Sequence, residues 1–434
     1  MLFITYEIIM AGKKGVIPNH IKQPMFIHPL ESHPIISIFM RVEDPRKPSL
    51  SFRHPLPSML FMTLIAVLCG ATDWEQIVIA CEGMQNWLAR YVDMSAGVPC
   101  ERTFKNVFSA IKPESLEKSL QELSSFLREK ISGEVVCFDG QTSCGTADKH
   151  KDLRGLHLLN VWSADNKICL AQLKIDDKSN EIPAMPRLID QLDLRDTIVI
   201  ADAMNTQKNT VKKVIEAGAD YVLPVKENQG ALFKDIELAF QDLDHEKKMK
   251  EENWQKTAKR AEAIRDREGL KKLQNEKDFS CGSSAWISSP EKGHGRIETR
   301  SCTALAIGEL PSKEGWEGIE SIARITRERS VGGKTSQETV YYIASLSPDA
   351  ALIAEVVRDH WGVENSLHWR LDVHFKQDAS RYRERNGASN LAILRKIALN
   401  MLSKEKTLKK GMATKQCAAA HKESYREKAL KNFF

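Results

Sequence analysis

Three acidic residues could carry chemistry in this chain. Asp139 follows the apolar run Glu134-Val135-Val136-Cys137-Phe138, and Asp202 follows a second, Thr197-Ile198-Val199-Ile200-Ala201. Both runs are rich in β-branched residues and read as buried strands. An aspartate where a buried strand surfaces adds little stability, but it is well placed to hold a cation at a sheet edge. Glu364 lies inside Asp359-His360-Trp361-Gly362-Val363-Glu364-Asn365-Ser366-Leu367-His368-Trp369-Arg370-Leu371-Asp372. At helical spacing His360, Glu364 and His368 share one face. Carboxylates suit Mg2+, and phosphoryl transfer commonly uses two ions about 3.5–4 Å apart. One ion activates water or a 3′-hydroxyl while the other stabilises the leaving oxygen. Two ions need a third acid beside the two aspartates. Glu364 is the first choice and Asp372, further along the same segment, the second. The two histidines also permit a zinc site, although the spacing is not H-E-x-x-H. Trp361 and Trp369 read either as core or as platforms for an unpaired base.

The elements that would position these residues follow from the pattern. Glu134–Phe138 is a strand that Gly140 ends. Residues 156–163 and 168–175 are two more strands joined by the turn Asp165-Asn166. A helix over 183–192, a strand over 197–202, a helix over 207–217, a strand over 220–226 and a helix over 231–240 complete the unit. Three antiparallel strands followed by two strand–helix crossovers predict an α/β fold with a ribonuclease-H-like mixed sheet and flanking helices. In that layout the first and fourth strands are neighbours, so Asp139 and Asp202 sit side by side.

The flanking segments complete the predicted organisation. Residues 1–36 read as a poorly structured leader and 37–130 as an all-α N-terminal domain, either a DNA-binding module or a plain bundle, its segment Pro99–Phe104 offering a polar helix start to phosphate. Residues 131–240 and 347–403 form the catalytic domain, with 241–346 a charged, β-containing insertion between the second Asp and the Glu. Ser347-Pro348 reads as an N-cap and first helical residue, and the helix over 350–372 has a potential break at Gly362. Residues 404–434 read as a basic tail. From Lys376 onward there are fifteen Lys or Arg against five Asp or Glu, a block suited to a polyanion or to a solvated surface. The net charge of the whole chain is only +5. Nine scattered cysteines without paired spacing argue against a disulfide framework and for a reducing cytosol. The apolar run Met59–Cys69 is too short for the roughly 20 residues of a membrane span and reads as a buried core helix.

The motifs together resemble a known family, the H-repeat-associated insertion-sequence transposases of the Asp-Asp-Glu class. The resemblance runs from about Ser37 to the C-terminus. It rests on Asp44-Pro45-Arg46, Arg53-His54-Pro55-Leu56, Gly97-Val98-Pro99, Asp139-Gly140, Lys178-Ser179-Asn180-Glu181-Ile182 and Asp202-Ala203-Met204-Asn205-Thr206-Gln207. It continues through Asp220-Tyr221-Val222, Lys226-Glu227-Asn228-Gln229-Gly230, His294-Gly295-Arg296-Ile297-Glu298-Thr299-Arg300, His360-Trp361, Glu364-Asn365, Leu367-His368-Trp369, Leu371-Asp372-Val373 and Asp378-Ala379-Ser380-Arg381.

The resemblance implies a metal-dependent triad of Asp139, Asp202 and Glu364 holding two Mg2+ ions, with Mn2+ able to substitute. It implies cleavage of double-stranded DNA at the terminal inverted repeats and attack of the freed 3′-hydroxyl on target DNA. Lys178, Asn180, Gln207, Lys226, Asn228 and Gln229 would line the site or hold phosphates, and Arg296, Arg300 and Arg381 are further DNA contacts, as are His360, Trp361 and His368. Such a protein is expected to be cytoplasmic, nucleoid-associated and dimeric on DNA. The chain departs from the family in four places. Gln141 stands where the family has Lys, and Gln377 where it has Glu. His360 takes an Arg-like place in relatives of the group and Leu371 a Lys-like place. A decayed or domesticated DNA-binding protein without cleavage activity is the alternative, and a zinc-dependent hydrolase using His360, Glu364 and His368 is a third reading.

Overall fold

The computed structural model describes residues 33–431 apart from 48–52, 176–180, 276–279, 294 and 309. The expected leader falls largely outside the described residues; its end does not, because His33 caps a short helix. Six helices come first: α1 (Pro34–Phe39), α2 (Leu56–Leu68), α3 (Trp74–Gly83), α4 (Gln85–Leu88), α5 (Glu101–Ala110) and α6 (Pro113–Leu127). The apolar stretch expected as a core helix is α2, buried along its whole length except Pro57. No described helix is long and apolar enough to cross a membrane.

The sheet begins with β1 (Glu134–Ser143), β2 (Leu156–Ser163) and β3 (Ile168–Ile175), an antiparallel meander. Then α7 (Glu181–Ile189), β4 (Thr197–Ala201), α8 (Lys208–Glu216) and β5 (Asp220–Val225) alternate. Strands β1, β4 and β5 run parallel, with Phe138 opposite Ala201 as the last pair of the β1–β4 ladder. Asp139, within β1, and Asp202, just after β4, therefore lie where the ladder opens. Gly140 does not end β1, as expected from sequence. It pairs with Leu159, and the strand continues to Ser143. Its lack of a side chain serves a close approach instead: a Cβ there would stand 2.0 Å from Glu181 Oε1.

After α9 (Gly230–Ala263) and α10 (Arg267–Asn275), strands β6 (Ser283–Ile287), β7 (Glu291–Gly293), β8 (Arg296–Ala306), β9 (Ser321–Val331) and β10 (Lys334–Ala344) follow. They extend the same sheet. β10 pairs with β5, giving one ten-stranded sheet in the order β3-β2-β1-β4-β5-β10-β9-β8-β6, with β7 on β8. The expected boundary at residue 241 also falls inside α9.

Helix α11 (Ala350–Val363) is capped by Asp349, whose carboxylate accepts from the Ala351 and Leu352 amides, rather than by Ser347. A single π-helical turn, Glu364–His368, leads into α12 (Trp369–His374). Helix α13 (Arg385–Lys404) packs against α2, α5, α6 and β3, so the N-terminal helices and the sheet share one continuous core from Ile35 to Leu430. The expected basic tail is folded as α14 (Met412–His421) and α15 (Glu423–Leu430), which dock on α13. Two of its cations satisfy helix-end carbonyls: Lys415 donates to Leu402 O at 2.7 Å and Arg426 to Ala419 O at 2.7 Å.

Candidate metal centre

Asp139 is the hub of the site. One oxygen of its carboxylate lies within 4.8 Å of ligand atoms of both Asp202 and His360; the same holds for Glu364 and His368. Two groups that share an aspartate are thus formed across β1, the end of β4, α11 and the π-helical turn. Such turns recur at functional sites because they displace one residue from the helical register. Here the turn opens at Glu364 itself.

Burial pushes the Asp139 carboxyl up to about 7, and the charges of Asp202, Glu181 and Glu364 add to the effect. A carboxylate so disfavoured is stabilised by a cation. The His368 Nδ1 atom lies 3.2 Å from Glu364 Oε2 and 3.4 Å from Asp139 Oδ2. Its Nε2 atom faces the Asn160 amide nitrogen at 3.5 Å. Burial holds both His360 and His368 below the ordinary imidazole range. His368, expected among the DNA contacts, is 4% exposed. The Nε2 atom of His360 is buried without a hydrogen-bond partner among the described residues, so this ring too is turned inward. The two histidines belong to different groups around Asp139, and the His360–Glu364–His368 set that their spacing permits for zinc is not among the candidate metal groups of the described residues.

A polar floor supports the hub. Asp139, Asn160 and Gln172 are partners in register across β1, β2 and β3. Gln172 Oε1 accepts from Lys396 Nζ at 2.6 Å; this lysine of α13 is fully buried and pushed down to about 8. On the other side of β1, Glu181 receives Asn205 Nδ2 at 2.9 Å and contacts His157 Nε2 at 2.8 Å. His157 Nδ1 in turn meets Thr142 Oγ1 at 2.8 Å. Sequence reasoning assigned no role to Asn160, Gln172, Lys396, His157 or Asn205. Glu181 was visible only as part of a motif.

Asp372 lies outside both groups. Its two oxygens accept from Gln141 Nε2, each at 3.1 Å. A cleft of about 320 Å³ opens in front of the acids, lined among others by Lys226, Arg300, Arg327, Arg358 and Trp361. Arg327 stacks over the Trp361 ring at 4.4 Å from its centroid. Trp361 and Trp369 are both exposed, so neither is core. Asn228 and Gln229 use their amides to hold the turn after Asp202, donating to Ala203 O and Thr206 O at 2.9 Å each. Arg296 is exposed, opposite Val331 at one end of the β8–β9 ladder. Arg381 lines a separate hollow with Trp74 and Tyr382. Lys178 and Asn180 lie outside the described residues.

Residues 131–401 match the transposase DDE domain family, and residues 36–123 match the domain described as associated with it. The chain belongs to the DDE transposase family. YncI of Escherichia coli O157:H7, named as a transposase, is 33% identical over 87% of this chain and 90% of its own. YhhI of Escherichia coli K12, named as an H repeat-associated transposase, is 31% identical over 86% and 91%. An uncharacterized protein from Xanthobacter autotrophicus is 31% identical over 79% of this chain and 99% of its own. Among solved structures, a piggyBac transposase synaptic complex with hairpin DNA aligns at a TM-score of 0.35 and 10% identity, over 93% of this chain and 79% of the other. That likeness is too slight to decide anything further about this DDE transposase.

Proposed function

We propose that this DDE transposase binds the terminal inverted repeats of its insertion sequence and catalyses metal-dependent strand cleavage and strand transfer. The observation that carries the reading is the double grouping around Asp139, which pairs it with Asp202 on one side and Glu364 on the other. The strand order β3-β2-β1-β4-β5 supports a ribonuclease-H-like core, with its acids where the parallel strands end.

The donor set fits divalent cations: three carboxylates, one of them made costly by burial, and an orphaned imidazole nitrogen. Asp139, Asp202 and Glu364 would hold two Mg2+ ions, with Mn2+ able to substitute. Bound there, the ions supply activation of water or a 3′-hydroxyl and stabilisation of the leaving oxygen. The protein's own residues do the rest. Asp139 would be shared by the two positions, and His368 holds Glu364 beside it. Lys226 would meet the DNA backbone from the cleft, and Arg300, Arg327 and Arg358 would do so by exchanging their Glu291, Glu298 and Glu338 partners for phosphate. Double-stranded DNA, both element ends and target, is the proposed partner, bound by a homodimer that acts in the cytoplasm at the nucleoid.

Incubating the purified chain with DNA carrying the element's ends in Mg2+ or Mn2+ tests this. Nicks at the repeat termini support the reading. Binding without cleavage in either metal marks a DNA-binding protein that has lost the reaction.

A further inference from the structure

We propose that His360 is the nitrogen donor to a divalent cation held between Asp139 and Asp202, and that this position selects Mn2+ over Mg2+. The inference rests on the proposed function, which gives the two aspartates to metal binding.

Two observations on the ring converge on His360. A ring nitrogen lies within 4.8 Å of a carboxylate oxygen of each aspartate. Its Nε2 atom is buried and has no hydrogen-bond partner among the described residues, a costly arrangement for an acceptor inside a protein. His360 also belongs to the helix that packs against β1, the strand of Asp139. Metal-ligating histidines commonly leave one ring nitrogen free for the ion.

His368 gives the contrast. Its Nδ1 atom contacts both Glu364 and Asp139, and its Nε2 atom faces Asn160. Both nitrogens are engaged, so His368 positions Glu364 and offers no free lone pair. The two ion positions around Asp139 are thereby unequal. One has a nitrogen donor, and the other has oxygen donors alone.

The inequality has a chemical consequence. Mg2+ is hard, takes oxygen ligands and gives up water reluctantly. An imidazole in the set shifts preference toward first-row transition ions, among which Mn2+ keeps the greatest tolerance for carboxylates.

Electron paramagnetic resonance on Mn2+-loaded full-length protein tests the assignment without recourse to activity. Spin-echo modulation from one directly bound 14N is expected in the unmodified chain. His360→Gln should abolish it and lower Mn2+ affinity about tenfold or more, with a smaller loss for Mg2+ in competition. His368→Ala should keep the modulation. A thermal melt of each variant shows that it is folded. Modulation that persists in a folded His360→Gln variant, or that is absent from Mn2+-loaded unmodified protein, overturns the proposal. The two readings fail separately. If Asp139→Asn and Asp202→Asn leave Mn2+ affinity unchanged, the acidic site itself is wrong. If they abolish it while His360→Gln keeps the spectrum and the metal preference, only the nitrogen donor is wrong.

Discussion

Gln377 Nε2 donates to Gln141 Oε1 at 3.1 Å, and Gln141 Nε2 in turn spans both oxygens of Asp372. They are two of the positions where the family resemblance implies Lys and Glu. Far apart in sequence, they are in contact, and their amide pair ties β1 to the segment after α12.

The pair should therefore show strong coupling. Gln377→Glu alone places a carboxylate at a site 1% exposed, close to Asp372 and Asp378, and should destabilise by about 1–3 kcal/mol. Gln141→Lys alone faces Asp372 but leaves the buried Gln377 Nε2 without its acceptor, and should also destabilise by about 1–3 kcal/mol. The double variant should regain most of the loss, an interaction of about 1–3 kcal/mol in a denaturant-based double-mutant cycle. Simple additivity would show that the contact carries no energy.

The raised Asp139 carboxyl predicts a pH-dependent cost in the metal-free protein. Its pKa is about 7 when folded, against an ordinary value of 3.8. Between those values the folded chain holds a proton that the unfolded chain has lost, so stability falls as pH rises from about 4 to 7. The full cost, up to about 4 kcal/mol, is present above pH 7. Asp139→Asn should raise the Tm of metal-free protein at pH 8 by about 2–5 °C and change it little at pH 4. Added Mn2+ should raise the Tm of the unmodified chain and leave that of the variant where it was. Calorimetry at the two pH values checks the sign.

Gly140→Ala should fail for a steric reason, since its Cβ would collide with the buried Glu181 carboxylate. Glu181 is fixed by His157 and Asn205 and cannot withdraw without breaking both contacts. A loss of about 1–3 kcal/mol is expected in chemical denaturation.

Lys226 is exposed in the cleft and makes no ion pair among the described residues. Lys226→Ala should weaken binding to all DNA sequences alike and reduce the slope of log affinity against log salt by about 0.9. A filter-binding series across salt concentrations reads this directly.

Much of the centre follows from local pattern. The two apolar runs ending in Asp specify strands by their β-branched content, and the four-residue spacing of His360, Glu364 and His368 specifies one helical face. What escapes is whatever depends on distant partners. Lys396 reads as part of a basic, solvated tail, yet it is buried beneath β3 because Gln172, more than two hundred residues earlier, receives its ammonium. Gly140 reads as a strand terminator because the approach of Glu181 is invisible in sequence. The strands from β6 to β10 read as an insertion because nothing local shows that β10 pairs with β5. Asn160 looks like any polar residue in a strand until its register opposite Asp139 is known.

The central claim is that Asp139, Asp202 and Glu364 together hold the metal that cuts DNA. The most direct measurement is strand cleavage of DNA carrying the element's ends by Asp139→Asn, Asp202→Asn and Glu364→Gln, with binding followed in parallel. Each variant should bind the ends as the unmodified chain does and lose more than about a hundredfold in cleavage. Cleavage at the unmodified rate by any of the three would contradict the account.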